Sequence, residues 1–370
     1  MKNRPKLLPS VLLLLGFLVL SLVAPAQSIN IEAAAKYWEI TDALRQNKPL
    51  TDEVWADFLQ LQGNKVYVKG VFDSASLRRY RKAIEVVYMP LHDSLLQAQL
   101  KKKVWYYVLV NDYKTNEDLH RKYMRETSQN PRYLGLMYQL AYEYLPQKAH
   151  TQVQDLKLYY NALGNDAASR SEGIFFSLHS AVNWNKPKEG ILEAHEIHHQ
   201  IRPRKDFGEV EEADKGLLWA LASIQNEGTA DLIDKKAIYQ AGGQDSVDMH
   251  EWLLAQAPST IQKLDSTIQV LAKGGEQTNP PIQFYSKLMN GSGGHMPGFH
   301  VALVLENNGY RKEMIETIDD PFAFLRLYQK AARKDKAHPP VFSKTSMAYL
   351  KKLEQKYTAA KAVKGALPAK

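Results

Sequence analysis

The sequence of 370 residues contains no cysteine. This absence excludes disulfide bonds, a metal site built from thiolates and a lipid anchor on cysteine, so any metal would need imidazole and carboxylate ligands. A chain of this length can bury enough apolar surface to fold without such crosslinks.

The sequence has no long apolar run outside its N-terminus. There, Lys2, Arg4 and Lys6 precede an apolar stretch over residues 7–23, and the small residues Ala24 and Ala26 flank Pro25. This arrangement is typical of a secretory signal peptide, and it predicts export to the periplasm or the exterior with cleavage after Ala26. The alternative is an uncleaved membrane anchor, because the apolar run approaches the length that spans a bilayer. If the signal is cleaved, we expect no stable membrane insertion.

The sequence also lacks a stripe of basic residues interleaved with aromatics. Its formal charge is +8, but the Lys and Arg residues are scattered in short runs such as 78–82, 101–103 and 202–205. These runs are more typical of solvated helix faces than of a nucleic-acid surface, so we expect no nucleic-acid partner.

Apolar residues at three-to-four spacing indicate a mainly helical chain. We divide it into a signal peptide (1–26), an N-terminal helical lobe (27–170), a third region (171–340) that contains the motif described below, and a C-terminal helix with a tail (341–370). In the N-terminal lobe the predicted helices are 31–47, 51–61, 76–87, 115–127 and 147–163. In the remainder they are 191–201, 211–240, 248–272, 283–289, 299–307, 321–333 and 343–357. Residues 173–178 are the best strand candidate of the second half.

One motif points to metal chemistry. His195, Glu196, Ile197, His198 and His199 contain the pattern H-E-x-x-H on a predicted helix. Residues four apart lie on one helix face, so the first and last histidines can bind the same ion with the glutamate beside it.

A second element lies on a later predicted helix, where Glu227 follows His199 by 28 positions. Ala220, Ile224, Glu227 and Asp231 recur at intervals of four, three and four, which places two carboxylates on an apolar stripe. A buried carboxylate needs a cationic or donor partner. A metal ion for Glu227 and an imidazole N–H for Asp231 would satisfy both. We also expect Gly228 to let this helix approach the helix of the two histidines closely.

H-E-x-x-H followed on a second helix by N-E-G-x-A-D resembles the gluzincin zinc metallopeptidases. The resemblance implies one catalytic zinc held by His195, His199 and Glu227, with Glu196 as general base and Asp231 orienting one ligand imidazole. It implies a mainly α (α+β), zincin-like fold, in which the H-E-x-x-H helix and the glutamate helix pack together beside a small β-sheet.

A narrower likeness comes from G-H-M-P-G-F at 294–299 and D-P-F at 320–322. These segments resemble the C-terminal pattern of an uncharacterised family of secreted bacterial putative zinc-dependent peptidases. The likeness spans about 173–332.

The function implied is hydrolysis of peptide bonds in peptide or protein substrates by a metal-activated water, with Glu196 as base. The developing oxyanion needs a donor besides zinc. His295 is the first candidate, ahead of His300 and Tyr285, although it could instead be an exposed or capping loop histidine. In gluzincins an edge strand pairs with the substrate, and 174–178 is either that strand or a simple buried one.

Two other classes of protein stay open at this stage. One is a zinc-stabilised binding or scaffold protein without turnover, although an intact Glu196 argues against it. The other is a helical structural protein whose motif is accidental, which would leave the carboxylates of Glu227 and Asp231 unexplained.

Overall fold

The computed structural model of the protein describes residues 28–241, 249–274 and 280–364. Within these ranges the chain is mainly helical with one four-stranded sheet, which confirms the predicted α+β class. The predicted signal peptide (1–26) and the last part of the predicted tail (365–370) lie outside them. No helix of the described ranges is both long and apolar enough to cross a bilayer.

The first half of the described chain is a helical layer. Its helices are α1 (Glu32–Arg45), α2 (Asp52–Gln60), α3 (Gln62–Val71), α4 (Ser74–Tyr88), α5 (Asp93–Lys101), α6 (Trp105–Thr115), α7 (Glu117–Gln129) and α8 (Tyr133–Tyr142). The structure confirms the predicted helices at α1, α2, α4 and α7. The other four helices were not predicted.

The sheet consists of β1 (Ser28–Asn30), β2 (Lys157–Asn161), β3 (Ala167–Arg170) and β4 (Gly173–Ser177). Its spatial order is β1-β2-β4-β3. The strands β1, β2 and β4 run parallel, whereas β3 is antiparallel to β4. Consequently β3 forms one edge of the sheet.

One expectation about this region was wrong, and one pair of alternatives is decided. The helix predicted over 147–163 is absent, and β2 occupies its second half. Residues 158–161 are all buried, so the strand shows no alternation of polar and apolar residues that would distinguish it from a buried helix. Strand β4 is not an edge strand, because it lies between β2 and β3. The alternative, a simple buried strand, is the observed one, and Ile174, Phe175 and Phe176 are fully buried.

The second half is again helical. Its helices are α9 (Leu178–Trp184), α10 (Ile191–Ile201), α11 (Glu212–Ala230), α12 (Lys235–Gln240), α13 (Met249–Ala272), α14 (Ile282–Leu288), α15 (His295–Asn307), α16 (Arg311–Glu316), α17 (Pro321–Ala332) and α18 (Lys344–Lys364). The prediction for α10 has the same bounds as the observed helix.

The single helix predicted over 211–240 is two helices, α11 and α12, separated by a turn at 231–234. The side chain of Asp234 accepts a hydrogen bond from the backbone N–H of Lys235 (2.7 Å) and so caps α12. The ammonium of Lys235 is buried and lies 2.6 Å from Asp231 Oδ1. The turn therefore brings a second carboxylate, that of Asp234, back towards α10.

Two glycines set the distance between α11 and α15. A Cβ added to Gly228 would lie 2.3 Å from the carbonyl oxygen of Gly298, and one added to Gly298 would lie 2.3 Å from that of Ile224. The backbones of the two helices are thus in direct contact. The expectation that Gly228 would admit the histidine helix was wrong, because the helix that it admits is α15.

Strands from both sides of the predicted boundary at 170/171 pair in one sheet, since β2 and β3 precede it and β4 follows it. A single large cluster of buried apolar side chains also runs through both regions. The four predicted segments themselves stay a prediction.

Candidate metal centre

The helix α10 presents the two histidines of the motif on one face. It begins after Gly190, whose φ of +79° favours glycine, and it packs Ile191, Ala194 and Ile197 into the core. On its other face, His195 Nε2 and His199 Nε2 lie 3.0 Å apart. One turn of helix therefore directs two nitrogen atoms at the same point.

The helix α11 adds a carboxylate to this pair. Glu227 Oε2 lies 3.6 Å from His195 Nε2 and 3.1 Å from His199 Nε2. Ligands held about 2.0–2.1 Å from a tetrahedral zinc are about 3.3 Å from one another. The three separations match that spacing, so the donor set fits a zinc ion.

Oxygen atoms behind the two imidazoles fix their orientation. His195 Nδ1 lies 3.0 Å from Asp234 Oδ1, and His199 Nδ1 lies 3.2 Å from Asn226 Oδ1. These acceptors favour the tautomer with the proton on Nδ1, which leaves the lone pair of each Nε2 free for a metal.

His295 occupies the third side of the site, at the first residue of α15. Its Nδ1 lies 2.9 and 3.2 Å from the two carboxylate oxygens of Asp231, and its Nε2 lies 3.4 Å from Glu227 Oε2. A Cβ added to Gly294 would lie 2.5 Å from the carbonyl oxygen of Ser223, so close packing on α11 fixes the start of α15.

The partner of Asp231 differs from the expected one. Its carboxylate lies 3.7 Å from His195 Nδ1 but contacts His295 and Lys235 directly. Asp234, which sequence reasoning missed, takes the position beside His195. The repeated acidic residue in D-L-I-D-K at 231–235 could have revealed it, but only if the end of α11 had been recognised.

A second donor combination is available in the described chain. His195, Glu227, Asp231 and His295 offer ligand atoms within 4.8 Å of one another. We favour His199 over Asp231 as a ligand, because Asp231 already binds the Lys235 ammonium and the His295 ring, whereas His199 Nε2 has Glu227 and His195 Nε2 as its close neighbours.

The electrostatics of this group suit a cation. Burial opposes ionisation of Glu227, but the nearby His199 and His295 hold the pKa of that carboxyl well below its usual range. Burial would likewise lower the pKa of His195, but the Asp234 carboxylate raises it well above its ordinary value. A field that stabilises a proton on this imidazole also stabilises a metal ion beside it.

The site opens into a cleft of about 740 Å³, which we call the metal-site cleft. It is lined by His195, Glu196, His199, Glu227 and His295 and by the edge strand β3 at 167–170. The side chain of Gln200 donates a hydrogen bond to Ser169 Oγ and ties β3 to α10.

The two alternatives to His295 do not line this cleft. His300 packs near Tyr328, and Tyr285 is buried beside Phe284. Of the three predicted oxyanion donors, the structure brings only His295 to the carboxylates and imidazoles of the site.

Comparisons with known proteins identify a family for this chain. No curated protein and no solved structure matches the chain. A family model described as "Putative zinc dependent peptidase (DUF5700)" matches residues 55–337, a range that holds every residue of the site. The chain therefore belongs to this family.

Proposed function

We propose that the protein is a gluzincin-type zinc peptidase with one catalytic zinc held by His195, His199 and Glu227. The observation that carries the proposal is the convergence of His195 Nε2, His199 Nε2 and Glu227 Oε2 to within 3.0–3.6 Å of one another. Glu196, the glutamate of the H-E-x-x-H motif, lines the same cleft.

Zinc, when bound, supplies a Lewis acid that polarises a carbonyl and acidifies water. Glu196 accepts a proton from the attacking water as the new C–O bond forms, and it delivers that proton to the amine nitrogen as the C–N bond breaks. Its place in the cleft, beside the two histidines of α10, supports this role.

His295 stabilises the oxyanion that develops on the carbonyl oxygen. The Asp231 carboxylate accepts from its Nδ1–H, which leaves Nε2 directed at the site next to Glu227. When protonated, the ring donates from Nε2, and the Asp231 carboxylate stabilises the positive charge.

The edge strand β3 supports a peptide as the substrate. Among the described residues its outer N–H and C=O groups have no partner strand, and an extended peptide can pair with such an edge. Because β3 lines the same cleft as Glu196, a peptide bound to this strand would lie beside the proposed catalytic residues.

A peptide-library assay with metal removal tests this function. We expect the full chain with zinc to cleave members of the library, to lose that activity when a chelator removes the metal, and to regain it with about one equivalent of zinc. Cleavage that persists without metal would reject a zinc peptidase. A zinc-loaded protein that cleaves no peptide would favour the alternative, a zinc-stabilised binding or scaffold protein.

We also propose that the protein is exported and that residues 1–26 are removed. Strand β1 begins at Ser28, so cleavage after Ala26 would leave Gln27 as the only residue before the sheet. Protein recovered from outside the cytoplasm should begin at Gln27 on N-terminal sequencing. An intact Met1 in that fraction would argue for the uncleaved anchor.

A further inference from the structure

A second cavity, of about 450 Å³, adjoins the metal-site cleft, and we call it the side pocket. Arg204 and Asn226 line both cavities. Asn226 Oδ1 contacts His199 Nδ1 (3.2 Å) and accepts from Arg202 Nη1 (2.8 Å), and Arg204 Nη2 donates to the backbone oxygen of His199 (3.1 Å). The side pocket therefore begins at the groups that hold a zinc ligand.

Its walls combine apolar surface with positive charge. Phe207, Leu218, Trp219 and Ile282 supply the apolar part. The charged residues that line the pocket are Arg202, Arg204, Lys205, Lys215 and Asp319. Four cations thus face a single carboxylate.

Two of the cations already have carboxylate partners. Lys205 Nζ lies 2.7 Å from Asp320, and Lys215 Nζ lies 2.5 Å from Glu212. Neither ammonium therefore needs a further anion.

Arg202 has no such partner in the part of the chain that the structure describes. Its guanidinium is buried and donates only to neutral oxygens, those of Ile318, Gln225 and Asn226. The 202–205 run was predicted to be a solvated helix face, and for Arg202 that expectation was wrong. Burial and the nearby Arg204 lower the pKa of this guanidinium to about 10, although Glu227 and Asp319 oppose that shift. An anion that enters the pocket would therefore stabilise the buried positive charge further.

Arg204 is exposed and likewise makes no ion pair among the described residues. A guanidinium has five N–H donors, and its hydrogen bond to His199 O uses one of them. The remaining donors can form the bidentate contact that arginine makes with a carboxylate.

We propose that the side pocket is a specificity subsite for a substrate carboxylate on an apolar stem, as in a glutamate side chain next to the scissile bond. The inference rests on the proposed peptidase function. The methylene groups of the stem would pack on Trp219 and Leu218, and the carboxylate would bind Arg204 within the field of Arg202. A free C-terminal carboxylate offers the same chemistry.

Binding to the zinc-loaded Glu196→Gln protein tests the subsite without requiring turnover. The probes are peptides that differ only by Glu, Gln or Lys at one position, scanned along the sequence, each with a free and an amidated C-terminus. At one position we expect the Glu peptide to bind about 10- to 100-fold more tightly than the Gln peptide, because a bidentate charge-assisted contact is lost in the latter. High salt should reduce that ratio.

Charge reversal supplies the decisive comparison. Arg204→Glu should remove the preference for Glu and favour the Lys peptide, and Arg204→Gln should abolish the preference without reversal. Arg125→Glu, an exposed position on α7 that lines neither cavity, is the matched control and should change nothing. Zinc content and the thermal midpoint show whether each variant is folded.

The outcomes separate the two proposals. Equal binding of Glu and Gln peptides at every position, together with equal binding of free and amidated peptides, overturns the subsite even if the wild type is a peptidase. An Arg204-dependent preference in a protein that never cleaves supports the subsite and overturns the function. Arg204-dependent tighter binding of free than of amidated peptides, with equal binding of Glu and Gln peptides, supports a carboxylate subsite and identifies the chain end as its ligand.

Discussion

The Glu196→Gln protein is expected to cleave peptides about 10²- to 10⁴-fold more slowly than the wild type while it binds the same amount of zinc. The amide has almost the shape of the carboxylate, but it cannot accept a proton from water. Glu196 lies beside the ligands on α10 without belonging to the three converging donor atoms, so metal binding should survive. Initial rates on one cleavable peptide, together with metal analysis of the same sample, measure both quantities.

The control for this experiment is the thermal midpoint of the zinc-loaded variant, which should equal that of the wild type. Unchanged cleavage at equal zinc content would show that Glu196 is not the base. Loss of zinc with loss of cleavage would instead show that Glu196 acts on the metal site.

Removal of one donor atom should produce the largest change in zinc affinity. His199→Ala should abolish stoichiometric zinc binding, because it leaves two of the three converging donors.

Asp234→Asn should weaken zinc binding about 10- to 100-fold, since it removes the charged acceptor behind His195. Asp231→Asn should leave zinc affinity nearly intact and slow cleavage, because that carboxylate acts on His295. Competition with a chelator of known affinity ranks the three proteins.

This order of effects is specific to the observed contacts. If Asp231→Asn loses zinc and Asp234→Asn does not, then Asp231 supports the ligand imidazole, as sequence reasoning expected. Full zinc binding by His199→Ala would favour the second donor combination, in which His295 and Asp231 complete the set.

The parts of the site on one continuous helix could be predicted from sequence. The helical period alone places His195 and His199 on one face, and α10 has the predicted bounds. The same period places Glu227 on the buried side of α11. Periodicity needs no knowledge of distant contacts, which explains this success.

Asp234 could not be predicted in the same way. Its position depends on the turn at 231–234, and that turn depends on the burial of Lys235 between two carboxylates. A polar segment between two helical patterns looks like more helix unless the tertiary partners of its charges are known.

The strands β1, β2 and β3 were not predicted, for a related reason. Strand β2 is enclosed by β1 and β4 and is buried, so its period of two is hidden, and β1 and β3 have only three and four residues. Such short strands form because a neighbouring strand is present, and the sequence of each strand alone carries little of that information.

The contact of Gly228 with Gly298 has a mechanical consequence. Two backbones that touch directly leave no flexible side chain at their crossing, so α11 and α15 should move as one rigid body that carries Glu227, Asp231 and His295.

The helix α10 carries His195, Glu196 and His199. It is joined to α11 by the side-chain hydrogen bonds of Arg202, the residue after α10, to Gln225 and Asn226. A bound metal would therefore link α10 to the rigid pair formed by α11 and α15. Its removal should speed amide hydrogen exchange along the α10–α11 seam and leave the α11–α15 seam unchanged.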